Sequence, residues 1–242
     1  MSWVLANLPT IAGHLLAHLL QAVPAILTAF VLAIPIARLA HTSRPLRALL
    51  VTGSSLLYAV PSLALFVILP IILATGIRDP LNVIVALTLY GLALLVPATA
   101  DALDAVDARV LDAATAMGMG RLRCFLTVEL PLAGPAILTG LRVVTVSTIS
   151  LTTVGAVLGV RSLGWLFTDG FQRGITAEIV TGLVATAALA LVLDGLVLAL
   201  GRLCLPWTWK RAGATGQVLE ADGASAAGGR EDDGREKREG ES

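Results

Sequence analysis

The chain has 242 residues, of which 56% are hydrophobic and 14% charged, and 17 basic and 17 acidic side chains give a formal net charge of zero. A mean hydropathy of +0.85 excludes an ordinary water-soluble globule. The charges are segregated: residues 1–37, 48–77, 81–100, 143–160 and 179–193 contain no Asp, Glu, Lys or Arg, and each window approaches the ~20 residues that carry a helix across a bilayer.

In chain order the apolar runs predict membrane helices over 15–37, 49–74, 81–100, 132–159 and 177–200. The expected fold is an all-α, polytopic membrane bundle of five spans, or six if the apolar run 3–11 forms an interfacial helix of its own. Residues 1–14 read as an external N-terminal segment, 15–206 as the membrane domain and 207–242 as a disordered tail. From Ala212 onward the chain is almost wholly Gly, Ala, Ser, Glu, Asp and Arg, too polar to offset its ordering entropy by burial.

Basic residues are unevenly divided between the connecting segments. Arg38, Arg44, Arg47, Arg109, Arg121, Arg123, Arg202, Lys210 and Arg211 fall on one side, and only Arg78, Arg161 and Arg173 on the other. The richer side is expected in the cytoplasm, which places the N-terminus outside and both 101–130 and the C-terminus inside. The N-terminus lacks the basic n-region of a cleaved signal, so no cleavage is expected.

Residues with catalytic chemistry are scarce. No nucleophile elbow, glycine-rich phosphate loop or metal-ligand cluster is present, so no catalytic residue, metal or cofactor is expected. His14 and His18 stand one helical turn apart without a third ligand and read as an interfacial pair. Cys124 and Cys204 lack metal-ligand spacing and read as free thiols.

The polar segment 101–130 has its own pattern. Asp104 or Asp107 can cap a helix in which Val110, Leu111, Ala114 and Met117 share an apolar face. Gly118 or Gly120 ends it, and Leu122, Phe125 and Leu126 open a second short helix before Pro131 enters the next span. Two readings stand: an amphipathic loop resting on lipid, or a docking element in which Ala113, Ala114 and Gly118 admit another surface closely.

Polarity inside the spans supplies candidate pathway residues. Arg142, Thr145, Thr148 and Thr152 recur at steps of three and four; their face either lines a translocation path or bonds to neighbouring helices. Asp194 lies in an apolar span, where a carboxylate pairs with a basic group of another helix or contacts a cationic solute. Pro61, followed by Ser62, interrupts the second span and can expose carbonyls to a water-filled cavity, as can Pro24, Pro35, Pro70 and Pro97 in theirs.

An acidic residue followed by Ala-Ala, three residues, Gly, nine residues, an aliphatic residue, any residue and Leu-Pro describes Asp112, Ala113, Ala114, Gly118, Val128, Leu130 and Pro131. It resembles the cytoplasmic signature of permease subunits of bacterial ATP-binding-cassette (ABC) importers, which usually has Glu and Ile where this chain has Asp112 and Val128. Pro61-Ser62-Leu63-Ala64-Leu65, Leu89-Tyr90, Gly140-Leu141-Arg142, Ser162-Leu163-Gly164 and Asp194 are similar to the glycine betaine, carnitine and choline permeases. After Tyr90 the chain departs from the Pro-Ile-x-Arg-Asn-like stretch of that group, and its proline stands at Pro97.

The resemblance implies a type I importer permease fold and several partners. A cytoplasmic ABC ATPase would dock on 112–130, a second permease subunit, identical or paralogous, would complete the pathway, and an external solute-binding protein would deliver a quaternary-amine osmoprotectant. Membrane lipid is the remaining partner, and no nucleic acid is expected. An importer of amino acids or another small solute is the alternative within the class. A secondary transporter is the alternative outside it, but would need inverted repeats and a coupling-ion site.

Overall fold

The computed structural model describes residues 2–40 and 44–206, which form ten α-helices and no strand. His41 and the expected disordered tail 207–242 lie outside the described residues. Contacts divide the chain into two units, 1–199 and 200–242; the described part of the second is the end of the last helix with Leu205 and Pro206.

A short helix α1 (Ser2–Ala6) is followed by α2 (Leu8–Ala40), whose 33 residues make a rod ~50 Å long. The first span therefore begins before residue 15; of the run 3–11, residues 3–6 lie in the separate short helix α1 and residues 8–11 open α2. Ala22, Ala25, Ala29, Ala33, Ala37 and Ala40 recur along α2 every three or four residues and are all buried. This smooth stripe receives α5 (Pro80–Asp104) so closely that a Cβ on Gly91 would stand 2.6 Å from the Cβ of Ala29. Small side chains let two backbones meet where apolar burial alone gives little drive for helix association in lipid.

Local signals set where α5 starts. Pro80 occupies its first turn, and the Asp79 carboxylate caps it by accepting from the Leu81 amide at 2.9 Å. Buried Asn82 ties down the preceding loop, donating to the Gly76 carbonyl at 2.8 Å and accepting from the Thr75 hydroxyl at 2.6 Å.

The second expected span is broken into α3 (Arg44–Ala59) and α4 (Ser62–Leu73), which meet at 105°. Pro61 brings no amide hydrogen and pushes Val60 away from helical geometry, so the ladder stops there. The carbonyl released at Val60 accepts from the Tyr90 hydroxyl at 2.5 Å. Among the described residues, four helices are long and apolar enough to cross a bilayer, and the bent pair makes a fifth crossing if it counts as one.

Beyond α5 come α6 (Ala108–Ala116), α7 (Arg121–Cys124), a π-helical stretch (Phe125–Glu129) and α8 (Leu130–Thr152), which tightens into a 3₁₀ turn over Thr153–Leu158. The expected second short helix is not a separate element. It is the first turn of a continuous helix that runs to residue 158, because the Leu130 amide reaches back five residues to the Phe125 carbonyl and the π turn absorbs the rung missing at Pro131.

The chain then turns through Ser162-Leu163-Gly164 into α9 (Trp165–Arg173), which the apolar runs did not predict, and α10 (Thr176–Cys204). Ser162 and Leu163 are buried, and a Cβ on Gly164 would lie 2.1 Å from the Thr153 carbonyl oxygen, so only glycine lets this turn close on the end of α8.

Candidate functional site

The segment between α5 and α8 stands out from the helical body and begins with a cap. The Asp107 carboxylate accepts from the Arg109 amide at 2.9 Å and from the Arg109 guanidinium at 2.7 Å, and that guanidinium holds the carboxyl below its usual range. Helix α6 turns Leu111 and Ala114 inward, while Asp112, Ala113 and Met117 face out. Gly118 ends the turn at φ +82°, a left-handed conformation that side chains resist, and no atom lies within 4 Å of where its Cβ would be. On either side of that turn Met117 and Leu122 are each 71% exposed, so two large apolar side chains in solvent flank the glycine in sequence. Val128, Leu130 and Pro131 sit half-buried on the continuous helix behind it.

A residue with no assigned role in the sequence pattern anchors this segment. Glu129 is buried, and its two oxygens lie 3.1 and 3.2 Å from Nη1 of Arg38 at the end of α2. The Arg38 guanidinium also lies over the Phe125 ring at 4.7 Å, a cation–π contact. Beside them an open pocket of about 960 Å³ separates α2 from α6 and α7, with Ile34, Pro35, Leu111 and Leu122 in its wall. A basic residue ending an apolar helix and an acid at the start of another were visible in the sequence, but no local spacing links positions 91 residues apart.

Within the spans, Asp194 of α10 is paired with Arg142 of α8 in a fork: Nε to Oδ1 at 2.8 Å and Nη2 to Oδ2 at 2.7 Å. Such bidentate geometry is the strongest form of this contact. Its carboxylate is thereby engaged within the chain. Thr145, Thr148 and Thr152 lie on the buried side of α8, and Thr145 and Thr152 donate to the carbonyls of Leu141 and Thr148, four residues back, at 2.8 and 2.7 Å. Ser62 opens α4 directly after the break at Pro61, and Pro61 itself is exposed.

His14 and His18 point into the bundle. Both are buried on the packed side of α2, and the His14 ring stacks on Trp165 of α9 with centroids 4.6 Å apart. Cys124 is buried and Cys204 exposed, each a free thiol.

Residues 25–209 match the family described as the binding-protein-dependent transport system inner membrane component, and the chain belongs to that family. It is 31% identical over 198 residues to the choline transport system permease protein OpuBD of Bacillus subtilis, covering 81% of this chain and 86% of that one. Over 178 residues it is 30% identical to the glycine betaine/carnitine/choline transport system permease protein OpuCD of the same organism, covering 73% and 76%. Among solved structures, an inward-facing MetNI methionine ABC transporter superposes with a TM-score of 0.71 at 19% identity, covering 80% of this chain and 95% of that one. That likeness establishes the fold. The protein is a multi-pass inner membrane permease subunit.

Proposed function

We propose that this permease admits quaternary-amine osmoprotectants, of the glycine betaine, choline and carnitine type, and that the segment 107–131 couples it to a cytoplasmic ABC ATPase. The solute class rests on the two relatives named above, which cover most of this chain. The observation that carries the coupling role is the exposure of Asp112 and Ala113 on α6, of Met117 and Gly118 in the turn that ends it, and of Leu122 on the helix that continues into a membrane span. A push at Leu122 is carried to α8 by the continuous helix 121–158, and Glu129 on that helix ties it to Arg38 of α2.

In this reading the N-terminus is external and the docking segment cytoplasmic, which agrees with nine basic residues on one side against three on the other. A separate solute-binding protein delivers the solute from outside, and a second permease subunit, identical or paralogous, completes the pathway. Arg142, Thr145, Thr148, Thr152, Asp194, Pro61 and Ser62 remain its candidate lining in this chain. The break at Pro61, with an exposed proline and a carbonyl held by Tyr90, is the position best suited to meet a water-filled path. The Asp194 carboxylate acts by holding α10 to α8 rather than by meeting the cation.

Uptake of radiolabelled glycine betaine and choline into cells at high osmolarity tests this, comparing the intact protein, a deletion and Gly118→Trp. Loss of uptake in both, with the variant still present in the membrane, supports the proposal; uptake indifferent to the deletion overturns the solute class.

A further inference from the structure

At the end of the bundle opposite the 107–131 segment, a pocket of about 400 Å³ is lined by Ala17, Leu20 and Gln21 of α2, Pro80 at the start of α5, and Arg78, Gly159 and Arg161. No acidic side chain lines it, and among the described residues neither the Arg78 nor the Arg161 guanidinium has a hydrogen bond or ion pair. Both arginines are nonetheless placed by the fold. Buried Gln21 donates from Nε2 to the Arg161 carbonyl at 2.7 Å, which fixes that backbone against α2. Gly159, at φ +81°, leaves room for Arg78, whose Nε would lie 3.0 Å from a Cβ there. Arg161 reaches back to α2, where its Nη2 stands 3.6 Å from the Cβ position of Gly13, an ordinary contact distance.

The depth of the pocket says what can reach it. Leu20 stands twenty residues before the end of α2 at Ala40, or ~30 Å along the helix, which is the thickness of the hydrocarbon core. The two cations therefore lie at headgroup level. From Leu20 at the pocket, Leu27 and Val31 continue one outward stripe along α2 towards the membrane interior, each more than half exposed. A pair of unpaired guanidiniums above an apolar stripe at the water boundary matches an amphiphile with an anionic head and an acyl chain.

We propose that this pocket binds the phosphodiester of an anionic phospholipid, with Arg78 and Arg161 as its ligands and the α2 stripe as the track for its acyl chain. The site is independent of the solute and of the docking segment. An acidic side chain of an external protein would suit the same charges, but it would make no use of the stripe.

The purified full chain, with any subunits that accompany it, is stripped of lipid and offered dioleoyl phosphatidylglycerol, dioleoyl phosphatidylcholine or inorganic phosphate, and bound lipid is counted by native mass spectrometry. The wild type is expected to prefer the anionic lipid by roughly tenfold or more, from two arginines near the surface. Arg78→Gln with Arg161→Gln is expected to abolish that preference, and Arg78→Lys with Arg161→Lys to keep most of it. If the double glutamine variant does not fold, the single variants decide, each losing part of the preference. Unchanged preference in folded glutamine variants overturns the proposal. So does displacement of the lipid by equimolar inorganic phosphate, or loss of binding-protein docking with lipid retention intact.

Discussion

Arg142 and Asp194 join α8 to α10 through two parallel contacts of 2.8 and 2.7 Å, between residues 52 positions apart. Removing one partner leaves the other charge without compensation in an apolar setting, whereas exchanging them keeps the fork. Asp194→Asn and Arg142→Gln should each lower the melting temperature of the purified protein and most of its uptake. The exchange Arg142→Asp with Asp194→Arg should recover more than either. Uptake and melting temperature unchanged in Asp194→Asn would show that the pair does no structural work.

Gly91 of α5 packs against Ala29 of α2, with 2.6 Å available to a Cβ. Gly91→Val should force the helices apart at a cost of about 1–3 kcal/mol, the range for overpacking a filled contact. Ala29→Gly in the same chain should restore part of the loss. Thermal unfolding of the two variants side by side checks both statements.

Gly118 offers the converse case, since its surroundings are empty and only its φ of +82° resists a side chain. Gly118→Ala should destabilise the turn by about 1 kcal/mol and lower uptake modestly, whereas Gly118→Trp should abolish ATPase co-purification while leaving the protein in the membrane. Recovery of the ATPase with Gly118→Trp at wild-type yield would remove the docking role of the turn.

Tyr90 donates to the Val60 carbonyl at the break between α3 and α4. Tyr90→Phe removes only the hydroxyl and leaves that carbonyl unsatisfied unless water enters, a loss of about 1–2 kcal/mol. Hydrogen exchange at residues 57–65 should accelerate in this variant. Exchange at the wild-type rate would mean that the broken span is held by packing alone.

The Asp107 carboxyl is held below its usual range, first by the Arg109 guanidinium. Its contribution to α6 is therefore complete above the ordinary carboxylate range and is lost as pH falls through the lowered folded value. Protease cleavage within 107–118 should increase on acidification in the wild type, and Asp107→Ala should show the increased cleavage already at neutral pH. Equal cleavage of the two proteins at neutral pH would deny the cap its role.

Much of this could be read along the chain because it depends on near neighbours. Charge-free windows long enough to cross a bilayer defined the helical class and most of the spans, and a proline in the second span marked where the ladder had to stop. Local chemistry narrowed the cap to Asp104 or Asp107 and the turn to Gly118 or Gly120, and the structure selects Asp107 and Gly118. Even so, the 105° bend at Pro61 and the fusion of α7 to α8 were not legible, since a proline may kink, break or follow a π turn according to what receives its freed carbonyls.

The pairing of distant groups belonged to the tertiary structure. Arg38 with Glu129, Arg142 with Asp194, and Tyr90 with Val60 join residues 91, 52 and 30 positions apart, and each partner could have been met by water, lipid or another chain. The alanine stripe of α2 was equally silent, because six small residues at helical spacing gain meaning only when Gly91 lets a second backbone lie against them. Periodicity and charge are properties of one segment, and they determined most of the apolar spans and that these lie in a membrane. Close approach and compensation of charge are properties of two segments at once, and only the packed bundle decided them.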